Sequence, residues 1–281
     1  MTKILAFAGQ KQSGKSSAVN FIVGMELSSL GLISSFRLDP DGRLIVPVQS
    51  ETGEIVEGEW NMSQQELTYE GLMFLDQNVY PFIKSYNFAD ALKRITVDLF
   101  GVPEELVNGT DEDKNKLTDI KWEDLPHYAE IKENAKKHKK DCPTGYLTAR
   151  QFLQELGTQI CRRIKNNCWV DQTLIRIKRD EPELALIGDC RFINEAEAVL
   201  NAGGKVIYLG KSVDSKDLHQ SETDLRNFDG FSAVIGNAEM TMEQKNNEIY
   251  KLLKSWDYLK FEIITTETAV GSEYETSTVR Q

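Results

Sequence analysis

The sequence has few of the side chains that build zinc sites and disulfide frameworks, with 4 cysteines and 3 histidines among 281 residues. No two cysteines are spaced as C-x-x-C, and the cysteines and histidines show no ligand spacing typical of zinc. It also lacks a signal-peptide pattern and an apolar run long enough to cross a bilayer. We therefore expect a reduced, cytoplasmic setting and no membrane partner.

Positive charge is scarce as well. The chain has 33 Lys and Arg against 44 Asp and Glu, which gives a net charge of −11. A protein that binds polymeric nucleic acid or an acidic membrane needs a broad cationic surface. The charge balance disfavours such partners, so an anionic substrate would have to be bound by a few local Lys and Arg side chains.

A glycine-rich motif lies near the N-terminus, where Gly9–Ser16 (GQKQSGKS) matches G-x-x-x-x-G-K-[ST]. An apolar run at 3–8 (KILAFA) predicts a buried strand before it, and apolar residues at helical spacing predict a helix over 17–30. In such a loop the backbone N–H groups and the helix N-terminus hold phosphate. Lys15 would reach the β and γ oxygens, and the Ser16 hydroxyl would ligate Mg²⁺. The sequence therefore predicts a nucleoside triphosphate site.

The rest of the chain alternates apolar strand patterns with amphipathic helix patterns, which is typical of a doubly wound parallel sheet flanked by helices. We expect an α/β fold in one domain over 1–270. Turn signals predict a small β-hairpin insertion at 35–60. A polar insertion or flap is expected at 111–147, and a disordered tail at 271–281.

Three junctions place charged side chains where a predicted strand ends or a helix begins: 88–93 (FADALK), 148–151 (TARQ) and 189–195 (DCRFINE). Ligands of open α/β sheets collect at such positions. Phosphoryl transfer between two phosphates depends on positioning and on neutralisation by cations. The candidate cations are Lys11, Lys15, Lys93, Arg150 and Arg191. Asp189 could hold Mg²⁺ or orient the acceptor.

Gly157 interrupts the helix predicted from Thr148, where a glycine costs about 1 kcal/mol relative to alanine. It therefore needs a packing or ligand reason. Aromatic side chains that could stack on a base or simply fill the core are Trp60, Phe88, Trp169 and Phe192.

Together these blocks resemble the bacteriophage deoxynucleoside monophosphate kinases, members of the P-loop kinase superfamily. The resemblance covers most of residues 1–255. It depends on AGQKQSGKSS, NFADALK, TARQFLQELGTQICRR with NNCWVD, IGDCRFINEAEAVLNAGGKVIYL and the HQSE loop. It implies Mg²⁺-dependent transfer of the ATP γ-phosphate to a deoxynucleoside 5′-monophosphate, giving the diphosphate, in the host cytoplasm if the chain is phage-encoded.

The resemblance also implies roles for individual residues. The ATP site would comprise Gln12, Ser13, Gly14, Lys15, Ser16 and Ser17, with Lys11 between the two nucleotides. The monophosphate pocket would comprise Ala89, Asp90, Lys93, Arg150, Gly157, Thr158, Trp169, Asp189, Arg191 and Glu195. Some family members carry Asp directly after the loop lysine, where this chain has Ser16. Asp189 is therefore our candidate catalytic carboxylate, and Ser16 with Asp189 are our candidate metal ligands.

Other functions stay open at this point. A different small-molecule kinase, such as a dephospho-coenzyme A kinase, would share the loop but lack the TARQFLQELGT block. An acceptor-free P-loop NTPase switch or assembly factor would bind the nucleotide alone. The guanine-reading N-K-x-D motif is absent, since 115–119 (NKLTD) has one residue too many. The sequence leaves open a homodimer, the base specificity, and a lid arginine among Arg162, Arg163 and Arg226.

Overall fold

The computed structural model describes residues 2–50, 52–60, 68–210, 224–236, 240–259, 261–268 and 271–276. The chain divides into two compact units. The sheet unit comprises Met1–Asn87 and Thr173–Gln281, and the helical unit comprises Phe88–Gln172. The region 1–270, predicted to be one domain, therefore contains two compact units. The helical unit is continuous in sequence.

The strands are β1 (Lys3–Ala8), β2 (Arg37–Leu38), β3 (Leu44–Gln49), β4 (Ile55–Glu59), β5 (Ile83–Tyr86), β6 (Leu117–Lys121), β7 (Tyr146–Thr148), β8 (Leu184–Cys190), β9 (Lys205–Leu209), β10 (Ala233–Ile235), β11 (Ile263–Thr268) and β12 (Gly271–Thr276). The α-helices are α1 (Lys15–Ser29), α2 (Tyr69–Asn78), α3 (Asp90–Asp98), α4 (Glu104–Asn108), α5 (Asp111–Lys114), α6 (Tyr128–Lys137), α7 (Ala149–Gln154), α8 (Arg162–Ile164), α9 (Cys168–Asp180), α10 (Ile193–Asn201) and α11 (Met242–Ser255). A π-helical stretch, Glu155–Cys161, lies between α7 and α8.

The centre of the sheet unit is a five-stranded parallel sheet in the order β10-β9-β1-β8-β5. β1 lies in the middle and pairs with β8 on one side and β9 on the other. The strand order therefore reverses at β1, and the carboxyl end of β1 is the position where such sheets bind ligands. This confirms the α/β fold that the alternation of elements predicts, of the P-loop kinase type that the resemblance implies.

Helix α1, which follows the glycine loop, is buried around most of its circumference. Phe21 on this helix contacts the ring of Tyr274 at 5.1 Å and that of Phe36 at 6.1 Å between centroids. A Cβ on Gly24 would lie 2.6 Å from a ring carbon of Phe36, so the chain at Phe36 approaches the helix closely. A helix that is buried all round belongs to the core rather than to the surface.

The antiparallel strands predicted within 35–60 are present as β2-β3-β4, in which β3 pairs with both neighbours. The prediction of a disordered tail is wrong for Gly271–Thr276, because these residues form β12 and pair with β11. The segment looked polar, yet Tyr274 is 2% exposed and its ring stacks on Phe36 at 5.2 Å. Residues 277–281 of that tail lie outside the described residues.

The helical unit has its own apolar core, which is formed by Val102, Val107, Leu125, Leu147, Ala149, Phe152 and Leu156. The polar tract 111–147 contributes α5, β6, α6 and β7, and it buries Leu125 and Leu147 in this core. The helix predicted from Thr148 begins there, and Thr148 is its N-cap: its hydroxyl accepts from the N–H of Gln151, and the Gln151 side chain accepts from the N–H of Thr148. Among the described residues, no helix combines the length and apolar character that a bilayer crossing requires.

Candidate active site

The glycine loop connects β1 to α1 and has an unusual backbone. Gly9, Gln12 and Gly14 have φ angles of 144°, 60° and 94°. A Cβ on Gly9 would lie 2.6 Å from the carbonyl oxygen of Leu209 and 2.7 Å from the Ser13 hydroxyl, so only glycine fits there. Gly14 is the N-cap of α1 and has no side chain that could bond the first-turn N–H groups. These groups and the positive end of the helix form an anion-binding site.

Lys15 is held against this loop. The residue is buried, with 7% of its surface exposed. Nζ donates to the carbonyl oxygens of Gly9 at 2.8 Å and Gln10 at 2.5 Å, and to the Ser13 hydroxyl at 3.4 Å. The loop thus holds the ammonium group through neutral acceptors, while Ser16 is exposed on the first turn of α1. An incoming anion would be a stronger acceptor than these carbonyls.

The end of β8 lies beside the loop because β8 pairs with β1. The register runs from Ala6 opposite Ile187 to Ala8 opposite Cys190, so β8 contains one extra residue between these pairs. Such bulges redirect side chains and are common next to active sites. The structure therefore brings the segment that contains Asp189 and Arg191 to the carboxyl end of β1.

The charges at this sheet edge act on one thiol. Burial raises the pKa of Cys190, and the carboxylates of Glu195 and Asp189 raise it further, whereas the Lys15 ammonium lowers it. Cys190 is fully buried, and all three charged groups lie near it. They therefore also lie near one another. Asp189, Glu195 and Lys15 thus lie near Cys190, which is opposite Ala8 at the carboxyl ends of β1 and β8.

Glu195 fixes the backbone that leads from β8 into α10. The residue is 2% exposed, and Oε2 accepts from the N–H groups of Arg191 at 2.8 Å and Phe192 at 3.1 Å. Asp224 Oδ2 accepts from the N–H of Ile193 at 2.8 Å. Because two carboxylates hold three consecutive N–H groups, the position of Arg191 is set by the start of α10.

In the helical unit, Arg150 lies in the first turn of α7. Its Nη2 donates to Asp111 Oδ1 at 2.7 Å, and its Nε donates to Asn115 Oδ1 at 3.0 Å. The side chain is 29% exposed. Both partners come from the polar tract, and sequence reasoning missed them because the run DEDKNK looks like a solvated surface.

Gly157 lies in the π-helical stretch, at a position that has no room for a side chain. A Cβ on Gly157 would lie 2.7 Å from Cδ2 of Leu92 on α3, and the carbonyl oxygen of Gly157 accepts from Trp169 Nε1 at 3.2 Å. Ala89 and Asp90 begin α3, and the N–H of Lys93 donates to the carbonyl of Ala89. The helical unit therefore brings the predicted 89–93 block to Gly157, with the half-buried Thr158 beside it. The indole of Trp169 is 6% exposed.

One further pair in this unit has no sequence signal. His127 Nε2 and Glu155 Oε2 are 2.6 Å apart, and His127 is 8% exposed. Nothing in the spacing of 127 and 155 predicts their contact. Of the three lid candidates, Arg163 forms two bonds to Glu130, and Arg162 Nη1 donates to the carbonyl of Asn166. The Arg226 side chain and the HQSE loop at 219–222 lie outside the described residues.

The family described as deoxynucleotide monophosphate kinase matches residues 83–249, from β5 into α11. The chain belongs to this family. A relative in Acanthamoeba polyphaga mimivirus, named "Putative deoxynucleotide monophosphate kinase", is 25% identical over an alignment of 179 residues, and the match covers 58% of this chain and 79% of the relative.

The comparison confirms the predicted family and the class of enzyme, a deoxynucleotide monophosphate kinase. An origin in a bacteriophage stays a prediction. The matched segment includes Arg150, Trp169, Asp189 and Arg191 but not the glycine loop. The assignment of a phosphate donor therefore depends on the geometry of that loop itself.

Proposed function

We propose that the protein transfers the γ-phosphoryl group of ATP to a deoxynucleoside 5′-monophosphate, with Mg²⁺, to give the diphosphate. The observation that supports this most strongly is the glycine loop: it combines left-handed backbone, a helix N-terminus without a side-chain cap and a buried lysine at the middle strand of the sheet. Membership of the deoxynucleotide monophosphate kinase family supplies the class of acceptor.

On the donor side, the residues that bind the triphosphate are Gln12, Ser13, Gly14, Lys15, Ser16 and Ser17. Lys15 exchanges the carbonyl oxygens of Gly9 and Gln10 for phosphate oxygens, and its burial strengthens that attraction because water screens it less. Lys15 is then the catalytic cation that neutralises the negative charge of the phosphoryl group during its transfer.

The donor atoms present suit magnesium. The Ser16 hydroxyl is exposed on α1, and the Asp189 carboxylate lies at the end of β8 next to the loop. Mg²⁺ prefers oxygen ligands and is usually held by one or two protein groups, with waters and phosphates completing the octahedron. When bound, it would neutralise charge on the donor phosphate oxygens. Asp189 takes the carboxylate role because Ser16 follows the loop lysine.

On the acceptor side, the monophosphate is bound by Lys11, Ala89, Asp90, Lys93, Arg150, Gly157, Thr158, Trp169, Asp189, Arg191 and Glu195. Arg150 and Arg191 neutralise its phosphate and are catalytic together with Lys15 and Asp189. Asp111 and Asn115 fix the plane of the Arg150 guanidinium while using only part of its five N–H donors, so others can meet phosphate oxygens. Glu195 positions Arg191 through the backbone.

The partners that follow are small nucleotides. The net charge of −11 supports the absence of polymeric nucleic acid and of acidic membranes as partners, and it fits a cytoplasmic enzyme. A homodimer is compatible with this proposal.

A coupled assay of ADP release tests the proposal. The protein is supplied with ATP and Mg²⁺ and with a panel of deoxynucleoside monophosphates, ribonucleoside monophosphates, dephospho-coenzyme A or no acceptor. We expect release that requires a deoxynucleoside monophosphate and disappears in EDTA. Release without any acceptor would indicate a switch, and release with dephospho-coenzyme A alone would indicate the other kinase.

A further inference from the structure

The turn between β2 and β3 touches α1 directly after the glycine loop. Gly42 in this turn is buried, and a Cβ at that position would lie 2.6 Å from Cβ and 3.3 Å from Cα of Ser17. One helical turn further on, Asn20 Nδ2 donates to the carbonyl oxygen of Gly42 at 2.8 Å. We propose that the turn Asp39–Gly42 is a positioning element of the donor-phosphate site, and that Gly42 is the residue that sets the place of Ser17.

The turn is rigid enough for this role. Asp39 Oδ1 accepts from the N–H groups of Asp41 at 2.9 Å and Arg43 at 2.8 Å, and the N–H of Gly42 donates to the carbonyl of Asp39 at 2.9 Å. The next residue, Leu44, is 1% exposed and anchors β3 in the core of the sheet unit. The turn therefore meets α1 as a preformed surface.

The contact acts on the backbone of α1 and not on a side-chain rotamer. The Ser17 hydroxyl could rotate away from a new methyl group, but its Cβ and Cα belong to the first turn of the helix. Further along, α1 is enclosed by Phe36 and Tyr274, so the helix cannot shift as a whole without disturbing the core. A side chain at 42 would thus displace the first turn, where Ser16 and Ser17 lie.

The inference rests on the proposed function, in which the first turn of α1 binds the donor phosphates. If the turn positions Ser17, disturbing it changes ATP binding and leaves the monophosphate alone. This also gives the antiparallel sheet β2-β3-β4 a task that the sequence does not reveal, namely support of the phosphate site from outside the loop.

The test compares Gly42→Ala with Gly53→Ala. Gly53 lies in the other turn of the same sheet and has φ of 85°, close to the 80° of Gly42, but its Cβ would meet only Gln49 Nε2 at 3.8 Å. Both variants carry the same backbone strain. We expect Gly42→Ala to raise KM for ATP about 10-fold or more and KM for the monophosphate less than about 2-fold, and Gly53→Ala to change neither by more than about 2-fold.

Asn20→Ala removes the hydrogen bond to the turn without adding an atom. It should raise KM for ATP about 3-fold. If circular dichroism shows that Gly42→Ala does not fold, Asn20→Ala replaces it in the test. The positioning role is overturned if KM for ATP is unchanged in the variant that folds, if both substrates are affected equally, or if Gly53→Ala matches Gly42→Ala. A wild-type protein without acceptor-dependent ADP release would refute the proposed function instead.

Discussion

The indole nitrogen of Trp169 donates a hydrogen bond to the backbone carbonyl of Gly157 at 3.2 Å. Gly157 lies in the π-helical stretch, where the wider turn takes carbonyls out of the regular helical ladder. Because Leu92 fills the space where a side chain at 157 would be, this carbonyl and this glycine are fixed from two sides within the helical unit. The packing reason that a mid-helix glycine requires is therefore present.

Gly157→Ala should lower the free energy of unfolding by about 1 kcal/mol. Alanine gains about 1 kcal/mol over glycine in a helix, but overpacking against Leu92 Cδ2 costs about 1–3 kcal/mol. Urea unfolding of Gly157→Ala, Leu92→Ala and the double variant checks this. The two changes should be less than additive, since Leu92→Ala makes room for the methyl group. Strict additivity would show that the two residues do not compete for space.

Arg150→Ala should raise the Kd for the monophosphate about 10-fold or more and change the Kd for ATP less than about 2-fold, because charged hydrogen bonds contribute about 1.5–3 kcal/mol. Arg150→Lys is the matched variant: it keeps the charge but loses the planar fork that bonds Asp111 and Asn115, so its effect should be intermediate. Titration calorimetry with each nucleotide provides the measurement. Equal weakening of both nucleotides would remove Arg150 from the acceptor site.

Lys15→Ala should reduce turnover at least about 100-fold and leave the circular dichroism spectrum unchanged, since Lys15 neutralises transferring charge and its hydrogen bonds to Gly9, Gln10 and Ser13 lie within the loop. Lys251→Ala is the control, because that side chain is 70% exposed and pairs with Glu248 on the surface. The control should have wild-type turnover. A folded Lys15→Ala protein with a near wild-type rate would contradict the donor site.

Stability should fall at high pH through Tyr274. Burial, together with the Glu243 carboxylate, raises the pKa of Tyr274 to about 12 from an ordinary value of 10.0. The Tyr274 hydroxyl is neutral in the folded state. Its contribution to the free energy of unfolding is therefore fully present below pH 10 and is lost as the pH rises towards 12. Relative to Tyr274→Phe, which keeps the ring, the wild-type protein should lose about 1–2 kcal/mol between these values, allowing for partial solvent screening. Parallel curves of the free energy of unfolding against pH would exclude this coupling.

Features that depend on neighbouring residues could be predicted from the sequence. The glycine loop, the helix start at Thr148 and the turns of β2-β3-β4 follow from local backbone chemistry, and the parallel strands β1, β8, β9 and β10 follow from their apolar runs, whereas β5 (IKSY) has no such run. The grouping of Asp189 with Lys15 also follows, because β8 ends where β1 ends.

What could not be predicted depends on contacts between distant segments. Tyr274 is the one large apolar side chain of the strand β12. It stabilises the strand because its ring packs against the rings of Phe21 and Phe36. The bond between Arg150 and Asp111 and the pair of His127 with Glu155 join residues 39 and 28 positions apart, and no spacing in the sequence links the two ends. The close approach of Leu92 to Gly157 joins positions on different helices, and no local pattern encodes it.

The enclosure of α1 by β12 has a consequence for biosynthesis. The hydrogen bonds between Ser28 and Thr276 join positions separated by 248 residues, so a chain leaving the ribosome exposes the apolar side of this helix until Thr276 has been synthesised. We expect nascent chains that stop before Gly271 to recruit chaperones and to bind triphosphate poorly, even though they already contain the whole glycine loop.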